Sequence, residues 1–234
     1  MRVLAVGAHP DDLEILCGGT LARYTREGHD VVMCHASRGD RGSFVHTSEE
    51  IASIRDGEAK RAAEICGAEH ATLGLSDGEV NAADPAQQRL MADLVRDSRP
   101  DVIITHAPND YMGDHNEVSR LVFDCSFYAT LPLYETGKPH HSAVTPIYYM
   151  DTLMGLGFQP SEYVDVSDVI DTKAAMLEAH ETQLTWLRDH DGVDVVEQMK
   201  AATRFRGLQC GVQYAEGFTP CLTWLRGTTR RLLP

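Results

Sequence analysis

The feature that most restricts the fold is a run of apolar and small residues, Val3 to Ala8 (VLAVGA), near the start of the chain. A short, nearly continuous run of this kind reads as a strand buried on both faces, which in soluble proteins means a parallel sheet covered by helices. Asp30 to Ala36 (DVVMCHA) and Val102 to Thr105 (VIIT) repeat the signature, and His70 to Leu73 is a weaker third instance. Helical patterns fill the intervals. One begins after His9-Pro10 and continues through Gly18-Gly19-Thr20 to about Gly28. A second opens at Thr47, with Glu50 as its capping-box partner, and carries Ile51, Ile54, Ala59, Ala62, Ala63 and Cys66 at helical spacing as far as Gly67. Pro85 to Asp97 and Glu117 to Tyr128 read as two more helices. The alternation predicts an α/β fold, a Rossmann-like, doubly wound, mostly parallel sheet.

After Pro139 the pattern loosens. Pro146 to Asp151 and Tyr163 to Val166 suggest short strands, and Val169 to Leu187 and Val195 to Phe205 suggest helices. This portion is expected to cap the sheet. No repeat, low-complexity tract or linker interrupts the chain, so residues 1–234 are expected to form a single domain. Gly18-Gly19 is no phosphate loop, because neither a GxGxxG nor a Walker lysine accompanies it; close helix–strand packing is the reading.

The net charge of −14 argues against nucleic acid and against anionic membrane surfaces as partners, since the sole basic cluster is Arg230-Arg231. No apolar run is long enough to cross a bilayer, and the chain enters a strand pattern without the charged and apolar segments of a signal peptide. The six cysteines are scattered, with no CxxC pair. They read as reduced thiols of a cytoplasmic protein.

Two segments carry the chemistry: Ala8-His9-Pro10-Asp11-Asp12 and Asp110-Tyr111-Met112-Gly113-Asp114-His115. Each follows a predicted parallel strand. Ligands of open α/β sheets bind outside the carboxyl ends of the strands, so neighbouring strands would bring the two segments together. Imidazole plus carboxylate suits Zn²⁺ or another divalent transition metal, and three protein ligands leave a position for water. Of Asp11, Asp12 and Asp114, one can ligate, one can act as base and one can orient a histidine. Taken singly, HPDD could be a turn and His115 a helix-start residue.

These residues resemble the LmbE-like, or PIG-L, N-acetylglucosaminyl deacetylases. The opening strand followed by AHPDD and Gly-Gly-Thr is the most specific element, and the later Asp-His matches a second motif. The similarity extends to Arg55 and Glu58, to Thr182-Gln183 and to Gly211–Phe218, and the wording looks closest to the bacillithiol-pathway branch. The resemblance implies His9, Asp12 and His115 as zinc ligands, Asp11 as general base, Asp114 as an orienter of a histidine, and Arg55 as a contact to the far part of the substrate. It implies hydrolysis of an N-acetyl group on a small amino-sugar conjugate, releasing acetate and a free amine, and it allows a homo-oligomer. Arg41, on the charged loop Arg38–Gly42, is a further candidate substrate contact through hydrogen bonds to sugar hydroxyls, with Asp40 beside it.

One position departs from the family. Its second motif commonly reads His-Pro-Asp-His, whereas this chain reads Met112-Gly113-Asp114-His115. Methionine can neither donate to an oxyanion nor act as an acid. Tyr111 is the favoured replacement, with His140, His141 and Tyr214 as others, and His140 also a candidate substrate contact. The departure keeps two alternatives open: a metal- and sugar-binding protein of altered catalysis, and a deacylase acting on a non-sugar or natural-product amide. A non-haem iron oxygenase would also use two histidines and a carboxylate, but usually on a β-barrel. His180, Asp189 and His190 read as solvated rather than as a second metal site.

Overall fold

A computed structural model describes residues 1–234. In chain order it contains β1 (Arg2–Gly7), α1 (Asp12–Leu16), α2 (Gly18–Arg26), β2 (Asp30–Ser37), α3 (Ser48–Cys66), β3 (Glu69–Leu75), α4 (Pro85–Ser98), β4 (Val102–His106) and α5 (Gly113–Tyr128). There follow β5 (Ile147–Met150), β6 (Glu162–Asp165), α6 (Ile170–Glu178), α7 (Glu181–Trp186), a π turn over Leu187–Asp191, α8 (Val195–Cys210) and β7 (Ala215–Pro220). Seven strands form one sheet in the order β3-β2-β1-β4-β5-β7-β6. The first five are parallel, and β7 runs antiparallel to both β5 and β6.

Each strand feeds both faces, as the continuous apolar runs require. Val3, Ala5, Val31, Met33, Val102 and Ile104 pack under α1, α2, α3 and α6. Leu4, Val6, Cys34 and Ile103 pack on the opposite face under α4 and α5. The predicted capping box of α3 is present, with the Thr47 hydroxyl accepting from the Glu50 amide and Gly67 closing the helix at φ 77°. At that positive φ a side chain would be strained, which is why glycine ends the helix. Strand order reverses between β1 and β4, because β2 and β3 lie to one side of β1 and β4 and β5 to the other. That switch point opens a crevice at the carboxyl ends of the strands.

Four expectations are corrected. The helix expected from His9-Pro10 to Gly28 is two helices, broken at Cys17. The break aims the amino end of α2 at Glu216 on β7, whose carboxylate accepts from the Gly19 and Thr20 amides at 2.9 and 2.7 Å. Gly19 is there for packing, since a Cβ would lie 2.7 Å from Val166. Likewise Val169–Leu187 is interrupted after Glu178, where His180 turns into the interior. Helix α5 begins at Gly113, so His115 lies inside its first turn rather than before it. Finally, the portion after Pro139 extends the sheet by β5, β6 and β7 as well as covering it.

Glu216 also pairs with the buried Lys173 of α6, so one carboxylate holds α2, α6 and β7 together. Removing it leaves a buried ammonium and two helix amides without a partner. Glu216→Ala should therefore cost about 3–5 kcal/mol in urea unfolding. A loss below about 1 kcal/mol would show that water replaces the carboxylate.

Candidate active site

The crevice at the switch point is assembled from the two segments that follow β1 and β4. Their strand ends are tied directly, with the Ala8 amide donating to His106 Nε2 at 2.9 Å. Beyond Ala8 the chain turns sharply. Asp11 sits at φ 115°, a left-handed conformation that a non-glycine residue adopts only when its surroundings hold it there. The turn buries Asp11 and starts α1 at Asp12, whose Oδ2 accepts from the His9 amide at 2.6 Å.

Asp12 is the centre of the cluster. Its Oδ1 lies 3.2 Å from His115 Nε2, and its Oδ2 lies 3.4 Å from His9 Nδ1 and 3.3 Å from His106 Nε2. The outer nitrogens of the two candidate ligands are each held by a carboxylate. His9 Nε2 is 3.1 Å from Asp114, which also accepts from the Gly78 amide at 2.6 Å. His115 Nδ1 is 2.9 Å from Asp110. Carboxylates bonded to the far nitrogens fix ring tautomer and orientation, the arrangement that accompanies metal-ligating histidines. His106 stacks on His115 with centroids 3.9 Å apart.

One ligand atom each from His9, Asp12 and His115 falls within 4.8 Å of the others. His115 Nε2 is buried and has no hydrogen-bond partner, although it faces Asp12. A buried nitrogen without a partner costs free energy unless something fills the gap, and two imidazoles with a carboxylate are the donor set of a divalent transition ion. The three residues fit such an ion.

The electrostatics divide two adjacent carboxylates. Burial and the neighbouring Asp12 charge push Asp11 up to about 7. Burial opposes ionisation of Asp12 as well, but His115 and His106 outweigh it and hold Asp12 well below the usual carboxylate range. His106 is pushed down to about 4, first by burial and then by His115, so its ring is neutral.

Of the other candidates, Arg55 is buried and donates to the carbonyls of Gly39 at 2.6 Å and Gly42 at 2.8 Å, fixing the loop after β2. Arg41 lies exposed on that loop, paired with Glu79. Tyr111 is on the loop that leads into α5, 64% exposed. His140 is not brought to the site. Its neighbour His141 bonds to Ala129 and Thr145, and Thr145 bonds to Pro100 just ahead of β4, at the amino-terminal edge of the sheet. Tyr214 packs against the apolar core. Asp40 is buried and spent on Arg38, Ser48 and the Asp77 amide, so it offers nothing to a sugar hydroxyl.

Sequence reading missed His106 and Glu14 and gave Asp110 no role of its own. His106 carried a usable signal, because it ends a fully buried parallel strand. His180 is corrected from solvated to wholly buried: it lies 3.2 Å from Glu14, which on its other oxygen meets His35 at 3.4 Å.

The family model described as "PIG-L: GlcNAc-PI de-N-acetylase" matches residues 4–126. The chain belongs to the PIG-L family. It is 29% identical over 230 residues to the diacetylchitobiose deacetylase of Thermococcus kodakarensis, covering 92% of this chain and 81% of that protein. The conserved protein TT1542 from Thermus thermophilus superposes with TM-score 0.81 at 31% identity, covering 99% of each chain. GalB, the 4-carboxy-2-hydroxymuconate hydratase of Pseudomonas putida KT2440, superposes with TM-score 0.83 at 24% identity over 99% of this PIG-L chain and 100% of its own, a likeness of fold alone.

Without a bound ion, His9 and His115 are both pushed above their ordinary value, against burial, by the carboxylates that face them. Burial opposes the charging of His115, but Asp12 and Asp110 raise its pKa from 6.5 to about 9. Stability from this group is complete below pH 6.5 and is lost as pH rises through 9. Chelator-treated protein should melt at progressively lower temperature across that interval, and a divalent ion should flatten the slope by displacing the proton. A melting temperature of the stripped protein that ignores pH would remove the charged His115 from the cluster.

Proposed function

We propose that this chain is a zinc-dependent deacetylase that removes the N-acetyl group from an N-acetylglucosaminyl conjugate. The observation that carries the reading is the pairing of a buried, neutral-range carboxylate, Asp11, with three converging ligand atoms from His9, Asp12 and His115. Its relative in Thermococcus kodakarensis is named for the same class of reaction. Cytoplasmic residence belongs to the same proposal, supported by six free cysteines, five of them buried. No helix is long and apolar enough to cross a membrane. With all seven strands in one sheet, the whole chain is read as one domain.

His9, Asp12 and His115 would hold the ion, which when bound supplies Lewis-acid polarisation of the acetyl carbonyl and of a water molecule. Asp11 Oδ takes the proton of the attacking water and returns it to the leaving nitrogen; a base near neutrality suits both halves of that cycle. Asp114 and Asp110 keep His9 and His115 in the tautomers that face Asp12. The developing oxyanion needs a donor in place of the side chain at Met112. Tyr111 is assigned that role, because its loop joins Asp110 to His115 and its exposed phenol is free to meet substrate. Arg55 shapes the mouth through the Gly39 and Gly42 carbonyls, and Arg41, on the same loop and paired with Glu79, is kept as a candidate substrate contact.

The decisive assay measures acetate from a panel of N-acetylglucosaminyl conjugates, using protein stripped of metal and then reloaded with Zn²⁺. Release that depends on the ion supports the reading. Stoichiometric zinc with no acetate from any conjugate would favour the silent binder. Asp11→Asn should keep the metal and lose turnover by about 10²-fold or more, because the ligand set survives and the base does not. Loss of zinc from that variant would mean that Asp11 and Asp12 exchange roles. Tyr111→Phe should depress turnover far more than Met112→Ala, by about 10²-fold. Small and equal effects would take Tyr111 out of the chemistry.

A further inference from the structure

A pocket of about 270 Å³ lies between α3 and the strands β2 and β3, with β3 forming the edge of the sheet. Its lining includes Pro10, His35, Ser37, Arg55 and His70, and none of His9, Asp11, Asp12, His106 or His115. The ligand cluster sits where β1 and β4 end, so the two places are separate and share only the HPDD turn, through Pro10.

The wall gathers polar atoms that have nothing to bond. Six buried side-chain atoms there lack a hydrogen-bond partner: both ring nitrogens of His35, the Ser37 hydroxyl, Nε of Arg38, Nε of Arg55 and Nδ1 of His70. His35, Ser37 and Arg55 are each at most 3% exposed. His35 Nε2 comes within 3.4 Å of Glu14, but without the geometry of a hydrogen bond. Two of the six atoms are guanidinium N–H groups, which can only donate, and the hydroxyl and an imidazole can donate as well. A buried donor left unpaired costs free energy, so the set calls for a ligand rich in acceptors.

Charge narrows that ligand to an anion. The carboxylates in the wall are already matched, Glu49 with Arg38 at 3.2 Å and Asp56 with Lys60 at 2.6 Å and His70 at 3.1 Å. Arg55 is not matched. Its other two nitrogens are occupied by the Gly39 and Gly42 carbonyls, and no carboxylate pairs with it. Burial pulls Arg55 below the usual guanidinium value, and the charges of Asp11, Asp77, Glu58 and Asp40 offset that only in part. A buried cation without a counter-ion is costly. One unmatched positive charge favours a monovalent ion over a phosphate. Several donors around one pocket suit the two oxygens of a carboxylate better than a spherical halide. The volume is below the roughly 300–1,000 Å³ of sites for drug-sized ligands, so the carboxylate is a small one.

We propose that this pocket is an effector site for a small monocarboxylate such as acetate, and that filling it slows the reaction at the ligand cluster. The link is Arg55. The guanidinium that offers Nε to the anion also holds the loop after β2, and Gly39 packs so closely that a Cβ would lie 2.5 Å from Arg55 Cδ and 3.2 Å from the Pro10 ring. An anion that draws Arg55 toward the pocket therefore pulls on the loop at the mouth of the crevice and on the HPDD turn. The consequence for catalysis rests on the deacetylase reading above, under which acetate is the product and restrains the enzyme from a place other than the metal.

The test uses protein stripped of metal, so that acetate has no ion to ligate. Saturation-transfer NMR of the acetate methyl group should show saturable binding. Ser37→Ala, which removes one donor, should weaken that binding about tenfold. Ser37→Asp, which puts a fixed carboxylate in the same pocket as Arg55, should abolish it, and inorganic phosphate should not displace acetate. No saturable binding, binding that ignores both substitutions, or a preference for phosphate would overturn the proposal. On zinc-loaded enzyme, acetate should lower kcat rather than raise KM alone. There Ser37→Ala should raise the inhibitory concentration about tenfold and leave turnover without acetate unchanged. Inhibition that is purely competitive and indifferent to Ser37→Ala would put acetate on the metal and overturn the effector role. If the stripped protein binds acetate as described while no conjugate is deacetylated, the pocket stands and the deacetylase reading falls. If conjugates are deacetylated and the stripped protein ignores acetate, the pocket falls and the deacetylase reading stands.

Discussion

The position of Asp12 governs the rest of the site. It is a buried carboxylate facing three imidazoles, two from the strand β4 side and one from its own turn. That convergence is possible only where strand order reverses, because there the loops after β1 and β4 diverge to opposite faces of the sheet and leave a crevice between them. The amide of Ala8 bonded to His106 keeps the two strand ends in register, and the left-handed Asp11 turns the chain so that α1 starts with Asp12 pointing inward. A buried carboxylate surrounded by neutral rings alone would be costly, so the arrangement requires positive charge, from protons on His115 and His9 or from a metal ion.

Much of this was legible in the sequence because it depends on local rules. Continuous apolar runs marked β1, β2 and β4, a capping box marked α3, and the two polar segments sat where parallel strands end. What escaped was set by distant partners. Strand β7 reads Ala-Glu-Gly-Phe-Thr-Pro, a poor strand by composition, and it forms because β5 and β6 pair with it on both sides while Glu216 caps a helix almost two hundred residues away. His180 looked like a surface residue in a charged stretch. Its burial follows from Glu14, which the chain carries inward on α1 and which requires a partner there. His140 was put forward on its residue type as a donor, and residue type says nothing about which end of the sheet a loop occupies.

The polar interior beneath the site explains why the carboxylates of the HPDD turn behave differently. Glu14 is held well below the usual carboxylate range by His180 and His35, against the opposing effect of burial. It therefore stays ionised and adds to the charge that keeps Asp11 high, whereas Asp12 has His115 and His106 to itself. Two neighbouring residues of one type are thus pushed in opposite directions by what faces them.

Substitution at Met112 fits this division of labour better than it fits a loss of function. The position caps α5, and its amide bonds to Asp110, the carboxylate that fixes His115. That backbone role survives any side chain. The motif therefore retains Asp110, Asp114 and His115, whose side chains are bonded into the cluster around Asp12, while Met112 contributes its backbone amide. A site being dismantled would be expected to lose its costly buried charges first, because each carries a desolvation penalty once its purpose is gone. Here all of them remain: Asp11, Asp12 and Glu14 are buried together, and Asp11 keeps its strained backbone.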